Sequence, residues 1–221
     1  MTQVYYAWWG PGIPYTQAWT WQREQVRQRL VDPQLPDVVA LLEHQPVYTL
    51  GRGASLQFLR LPLAELGVPV YRTERGGEVT YHGPGQVVGY PILRLSRYGL
   101  DVHQYLRALE EVIIQTLRSY AIAAGRKTGY TGVWVGDTKV AAIGIALRRG
   151  VTMHGFAVNV CTDLAAFSRI VPCGIAAYPV GNLVQFCPGL TVMHVQQALV
   201  QQMERVFGMT MEQAPPISIR C

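Results

Sequence analysis

Three places in the sequence carry side chains with chemistry to offer. The first is Cys173, in the run Val171-Pro172-Cys173-Gly174-Ile175. A proline before it and a glycine after it put it in a turn. A cysteine is either a small buried hydrophobe or, as thiolate, a nucleophile. Here the turn exposes the side chain. Gly174 would let two adjacent N–H groups converge on an oxyanion, as acyl transfer requires. A neighbouring cation would bring the thiol pKa from about 8.5 into the neutral range. Cys173 therefore reads as a nucleophile that carries an acyl group. Cys161, at a strand end, reads as structural, and Cys187 and Cys221 lie in a loop and at the terminus. The absence of CxxC spacing excludes a zinc ribbon or a thioredoxin-type redox pair.

The second is Lys139, which opens the apolar run Val140 to Ala146 and is one of only two lysines in the chain, with Lys127. It is either a solvated charge that guards a strand end or a partly buried lysine, whose pKa burial lowers, that serves as base or electrostatic partner. The third is Arg75-Gly76-Gly77-Glu78-Val79-Thr80-Tyr81-His82-Gly83-Pro84-Gly85-Gln86. Glycine lets backbone approach a ligand closely, so the segment is a binding loop or a decorated surface loop. It is neither GxGxxG nor a Walker A sequence. His82 and His154 each lie beside glycine, and a Cys–His pair with either as base stays open. The five histidines have no metal-ligand spacing, and no metal or cofactor is expected.

The elements that would position these residues can be read from periodicity. Tyr15 to Leu30 predicts a helix, and Asp101 to Tyr120 predicts another, with Asp101 as N-cap and Tyr105, Leu109, Ile113 and Leu117 on one stripe. Thr191 to Phe207 predicts a third, and Thr162-Asp163 a cap for a short helix through Phe167. Strands are predicted at Val4 to Trp9, Asp37 to Glu43, Val47 to Leu50, Val68 to Thr73, Gln86 to Leu95, Tyr130 to Val135, Lys139 to Leu147 and Val151 to Val160. Gly136-Asp137 signals a hairpin. Hairpin-clustered strands with few helices predict an α+β fold, a mixed and largely antiparallel sheet flanked by helices, in one domain spanning residues 1–221.

The 221 residues are 49% hydrophobic and 15% charged, a globular composition. The start lacks a signal peptide's basic and apolar regions, and no run reaches the length of a membrane helix, so a cytoplasmic protein without membrane association is expected. The net charge of +5 is carried almost wholly by scattered arginines. Scattering without aromatic interleaving gives no reason to expect nucleic acid.

Taken together these segments resemble the octanoyltransferase family of lipoate biosynthesis. The family fingerprint is Arg-Gly-Gly, two variable residues, Thr, an aromatic, His, two variable residues, Gly or His, then Gln, matched by Arg75 to Gln86. Gly136 to Val160 resembles its Lys strand and its His-Gly-Phe/Leu-Ala strand, and Ile170 to Ile175 its nucleophile turn. The likeness spans about residues 35 to 185. It implies the fold of the biotin and lipoate protein ligase catalytic domains. It implies transfer of octanoyl from octanoyl-acyl carrier protein, through an acyl-thioester on Cys173, to a lysine on the lipoyl domains of 2-oxoacid dehydrogenases and the glycine cleavage H protein. The residue matching Lys139 lowers the thiol pKa and assists proton transfer. Arg75, Gly76, Gly77, Glu78, Val79, Thr80, Tyr81 and His82, with Ala142-Ile143-Gly144 and Gly155-Phe156-Ala157, correspond to the acyl-binding walls. A monomer is expected. Basic surface, with Arg126, Arg148 or Arg149 as candidates, would suit an acidic carrier protein. Val180-Gly181-Asn182-Leu183 departs from the family's frequent Val-Thr-Ser-Leu. The alternative of the same fold is an ATP-dependent lipoate or biotin protein ligase.

Overall fold

The computed structural model of the chain describes residues 2–214. Its frame is an eight-stranded sheet built from β1 (Thr2–Trp8), β2 (Asp37–Leu42), β6 (Gln86–Ile92), β7 (Gly125–Lys127), β8 (Tyr130–Val135), β9 (Thr138–Arg148), β10 (Val151–Asn159) and β11 (Met209–Gln213), in the order β11-β1-β2-β6-β10-β9-β8-β7. β1 is parallel to β11 and to β2, and the other pairings are antiparallel. A second sheet of three strands, β3 (Val47–Leu50), β4 (Val70–Arg72) and β5 (Thr80–His82), runs in the order β4-β3-β5. The strands predicted on either side of Gln45-Pro46 therefore pass into different sheets and do not form a hairpin.

Alternation along the strands gives the large sheet two apolar faces. One face, with Val39, Leu41, Val87, Phe156 and Val158, packs against α2 (Val102–Arg118) and α3 (Val192–Phe207). The stripe Tyr105, Leu109, Ile113 and Leu117 is fully buried there. Asp101 starts α2 with a capping box: its carboxylate accepts from Gln104 N at 2.8 Å, and Gln104 Oε1 accepts from Asp101 N at 2.9 Å. Gly208, in the left-handed region at φ 62°, ends α3. The other face, with Ala40, Leu42, Val88, Tyr90, Met153 and Ala157, packs against α1 (Tyr15–Val31).

α1 lacks an N-terminal side-chain cap and buries the polar Gln22 and Arg29. These are tertiary anchors: Gln22 Oε1 accepts the His154 backbone N–H at 2.8 Å, and Arg29, with Arg97 and Tyr98, surrounds the buried Asp37 carboxylate. The small sheet has its own core of Tyr48, Leu50, Val79, Tyr81, Phe167 and Ile170. The strands β5, β7 and β11 fall where no strand is predicted, because three to five residues hold too little pattern for periodicity to register. No helix among the described residues is long and apolar enough to cross a membrane.

Candidate active site

The space between the two sheets is a cavity of about 340 Å³, open to solvent on one side. Cys173 and Lys139 line it together, although 33 residues and several elements separate them. Arg75, Gly76, Gly77, Glu78, Thr80, His82, Ala142, Ile143, Gly144, Gly155, Phe156 and Ala157 line it as well. Val79 and Tyr81 do not. Alternation in β5 and the turn before it sends them into the core of the small sheet, where Val79 is wholly buried and Tyr81 packs edge-on against Phe167. They support the wall from behind. Tyr15, Val88, Tyr90 and Tyr130 are lining residues that the sequence did not point to, and His154, which the sequence raised only as a candidate base, lines it too.

Small residues carve the trough. On the cavity side, Ala142 of β9 stands opposite Ala157 of β10, and Gly144 opposite Gly155. These two register pairs remove side-chain bulk from one strip of an otherwise apolar sheet. The loop from Arg75 to Gly77 roofs the strip. A Cβ on Gly144 would lie 3.0 Å from Gly76 O and 3.2 Å from Arg75 Cδ.

Lys139 is only 6% exposed, which removes the reading of a solvated strand end. Its backbone is gripped by the segment that follows the nucleophile turn: Lys139 N donates to Pro179 O at 2.9 Å, and Gly181 N donates to Lys139 O at 3.0 Å. The departure at Gly181-Asn182 thereby acquires a structural reason. A Cβ on Gly181 would collide with Thr138 Cγ2, and Asn182 exchanges hydrogen bonds with the Thr162 backbone at 3.0 and 2.8 Å. Gly132 makes room for the lysine chain, since a Cβ there would sit 2.7 Å from Lys139 Cε. The ammonium lies 5.5 Å from the Trp134 ring centroid and has no carboxylate or hydrogen-bond partner among the described residues.

Cys173 sits in the left-handed region at φ 56°, ψ 18°, in a short 3-10 turn at Pro172–Gly174. His154 also has a positive φ, 59°. Strict alternation would send the His154 ring to the α2/α3 face, and the left-handed backbone places it in the cavity wall instead. Non-glycine residues in this region concentrate at functional sites. The turn does not supply the oxyanion donors expected of it. Cys173 N donates to Val79 O at 2.9 Å, Gly174 N to Val171 O at 3.0 Å and Ile175 N to Pro172 O at 2.9 Å. All three amides hold the turn closed. The hydroxyl of Thr80, which lines the cavity, enters none of the hydrogen bonds among the described residues.

The histidines are poor bases here. Burial, reinforced by His44, holds the His82 pKa down at about 3. Its Nδ1 lies 2.7 Å from Gln86 Oε1, and its Nε2 3.4 Å from Thr49 Oγ1. Burial also lowers His154 below the ordinary imidazole value. The ring is then neutral at pH 7, and the 3.6 Å approach of Nε2 to Glu74 is neither an ion pair nor a hydrogen bond. Neither ring hydrogen-bonds Cys173 among the described residues, so the geometry gives a Cys–His pair no support.

Other expectations change. Cys161 is exposed and not packed at its strand end. Cys221 lies outside the described residues. Arg126 is engaged by α2, with Nε donating to Glu110 at 2.9 Å and Nη2 to Glu111 at 2.8 Å, whereas Arg148 and Arg149 are exposed.

The lipoyl protein ligase A/B catalytic domain matches residues 14–204. An octanoyltransferase of Gloeobacter violaceus is 54% identical over 203 residues, 91% of this chain and 90% of that protein. The chain belongs to the octanoyltransferase family. A second octanoyltransferase, from a Nostoc species, is 55% identical over 197 residues and 89% of each protein. Among solved structures, this octanoyltransferase-family chain shares its fold with lipoate-protein ligase A bound with ATP, at a TM-score of 0.79 and 17% identity over 97% of this chain and 90% of that one. It shares it also with the bipartite lipoate protein ligase of Thermoplasma acidophilum, at 0.77 and 16%, over 99% and 89%.

Proposed function

We propose that this chain, acting as one catalytic domain in the cytoplasm, moves octanoyl from octanoyl-acyl carrier protein to a lysine of lipoyl domains through an acyl-thioester on Cys173. The observation that carries the reading is the meeting of Cys173 and the partnerless ammonium of Lys139 on one trough of small and apolar residues. Burying an octanoyl tail there is worth about 5 kcal/mol at roughly 0.8 kcal/mol per methylene.

The chemistry closes on the chain's own groups. Cys173 thiolate attacks the thioester carbonyl; a new C–S bond forms and the carrier's C–S bond breaks. Lys139 gives its proton to the departing carrier thiolate and is left neutral. The acceptor lysine attacks as a neutral amine; the amide C–N bond forms, the Cys173 thioester breaks and Lys139 takes the amine's proton. Cys173 leaves as thiolate and Lys139 is ammonium again. Thr80, on the cavity wall, supplies the hydroxyl that donates to the oxyanion in both steps of this reading. A thioester is already activated, so the exchange needs no ATP, and one covalent intermediate gives ping-pong kinetics.

Intact-mass measurement after mixing with octanoyl carrier protein tests this. A gain of one octanoyl, lost in Cys173→Ser and discharged by a lipoyl domain, is expected. An unmodified protein, or pyrophosphate released from octanoate, ATP and magnesium, would overturn it.

A further inference from the structure

Helix α2 carries a carboxylate inside its apolar face. Glu110 is fully buried, on the side of the helix that also buries Leu109, Val112 and Ile113. A buried charge is costly unless it is paired and hydrogen-bonded. Here the two oxygens have different partners. Oε2 accepts from Arg107 Nη1 at 2.6 Å and from Arg126 Nε at 2.9 Å. Oε1 accepts the backbone N–H of Gly132 at 3.1 Å. Both arginines are exposed, and a surface carboxylate is enough to pair with them, as Glu111 does with Arg126 Nη2 at 2.8 Å. The ion pairs therefore leave the burial of Glu110 unexplained, and the bond to β8 explains it.

Gly132 lies against the far end of the Lys139 side chain. It is buried, its φ is 127°, and a Cβ on it would stand 2.7 Å from Lys139 Cε, 3.3 Å from Nζ and 2.6 Å from Ala141 O. The β8–β9 ladder alone does not fix this neighbourhood. Val133 pairs with Ala141 and Trp134 with Lys139, so Val140 is an extra residue directly beside the lysine. Such a bulge disrupts the ladder and re-aims the side chains around it. β7, the edge strand beyond β8, has three residues and an irregular register of its own. The Glu110–Gly132 hydrogen bond ties β8 to α2 at this point. We propose that Glu110 is a positioning residue for the transfer reaction: through the Gly132 amide it holds β8 under the Lys139 stem and so sets where the ammonium stands in the cavity. The inference rests on Lys139 acting with Cys173 in acyl transfer.

The lysine needs such support because nothing polar orients its Nζ among the described residues. The Gly132 backbone lies against its stem, and the Trp134 ring centroid is 5.5 Å from Nζ. Both contacts come from β8, and they fix the side chain only as firmly as that strand is fixed. Gly129, Tyr130 and Thr131, the residues just before Gly132, line the cavity. A shift of β8 would thus move the cavity wall together with the lysine. A displacement of about 1 Å in a reacting group costs up to roughly a hundredfold in rate.

The test is a double-mutant cycle between Glu110 and Lys139, read as the rate of Cys173 octanoylation by intact mass. Glu110→Met keeps the side-chain volume, removes the bond to Gly132 and lets the two exposed arginines turn to water; thermal melting checks that it folds. Octanoylation is expected to slow about tenfold or more when Lys139 is present. In the Lys139→Met background, where there is no ammonium to misplace, it should slow by less than about twofold. Glu110→Gln keeps an oxygen for the Gly132 N–H and should restore a rate close to wild type. An unchanged rate in Glu110→Met, equal slowing in both backgrounds, or a Gln variant as slow as the Met one would overturn the inference. Gly132→Ala leaves the α2 core untouched and serves where Glu110→Met does not fold. Its methyl group meets Lys139 Cε, so it should slow the reaction only when Lys139 is present, and slowing independent of Lys139 would overturn the inference here too. Failure of the underlying reading shows separately, as octanoylation at the wild-type rate in Lys139→Met.

Discussion

The register of small residues across β9 and β10 makes a quantitative demand on chain length. Ala142, facing Ala157 across the ladder, presents only a methyl group to the trough. Ala142→Leu adds three carbon atoms there, and a bound octanoyl chain must give up burial of about three methylenes. At roughly 0.8 kcal/mol each, the loss is about 2.4 kcal/mol, or roughly sixtyfold in the second-order rate of Cys173 acylation. A butanoyl group has only two methylenes to give up and should lose less. The assay is intact-mass kinetics of acylation with butanoyl, hexanoyl and octanoyl carrier protein, wild type against variant. The rate ratio of octanoyl to butanoyl should fall. A uniform fall across all three lengths would mean general disruption of the sheet, and an unchanged octanoyl rate would show that the tail does not lie on this strip.

Thr80→Val should slow acylation by about a hundredfold, as loss of one oxyanion donor does, while leaving octanoyl-carrier binding near wild type in a fluorescence titration; a rate within twofold of wild type would remove Thr80 from the chemistry. His44 and His82, held by burial at about 4 and about 3, are neutral in the folded chain and take protons at about 6.5 when unfolded. Their contribution is complete above pH 6.5 and is lost as pH falls toward the folded values, about 2 kcal/mol for each imidazole at pH 5. Denaturant melts of His44→Asn against wild type at pH 7 and pH 5 should therefore show a smaller acid loss in the variant, and equal losses would refute the account. Arg148→Glu should weaken carrier association and flatten its salt dependence, whereas Arg126→Glu should act through stability, because Arg126 already balances Glu110 and Glu111; surface-plasmon titration and thermal melting separate the two.

The capped helix at Asp101 and the long strands β9 and β10 were legible because each carries enough turns or alternations to impose a period. The fingerprint from Arg75 to Gln86 marked a segment that lines the cavity, but it could not say that Val79 and Tyr81 face away from it. That depends on β5 forming a short strand against β3, a long-range pairing with no local signature. The oxyanion expectation failed for a related reason. Cys173, Gly174 and Ile175 offer three amides in sequence, and only the folded turn reveals that Val79, Val171 and Pro172 consume them. Tyr15 and Tyr90 reach the cavity from α1 and β6 through packing of one layer on another, which no spacing encodes.

The left-handed backbone at Cys173 and His154 implies an opposition between durability and use. An L-residue there costs roughly 1–2 kcal/mol that glycine would not. Selection for stability alone would place glycine at both positions, and Cys173→Gly or His154→Gly should melt at or above the wild-type temperature unless the lost packing of the removed side chain outweighs the gain. A library screened only for heat resistance would thus be drawn toward inactive chains at these two positions, so thermal screening of this scaffold needs a turnover readout beside it.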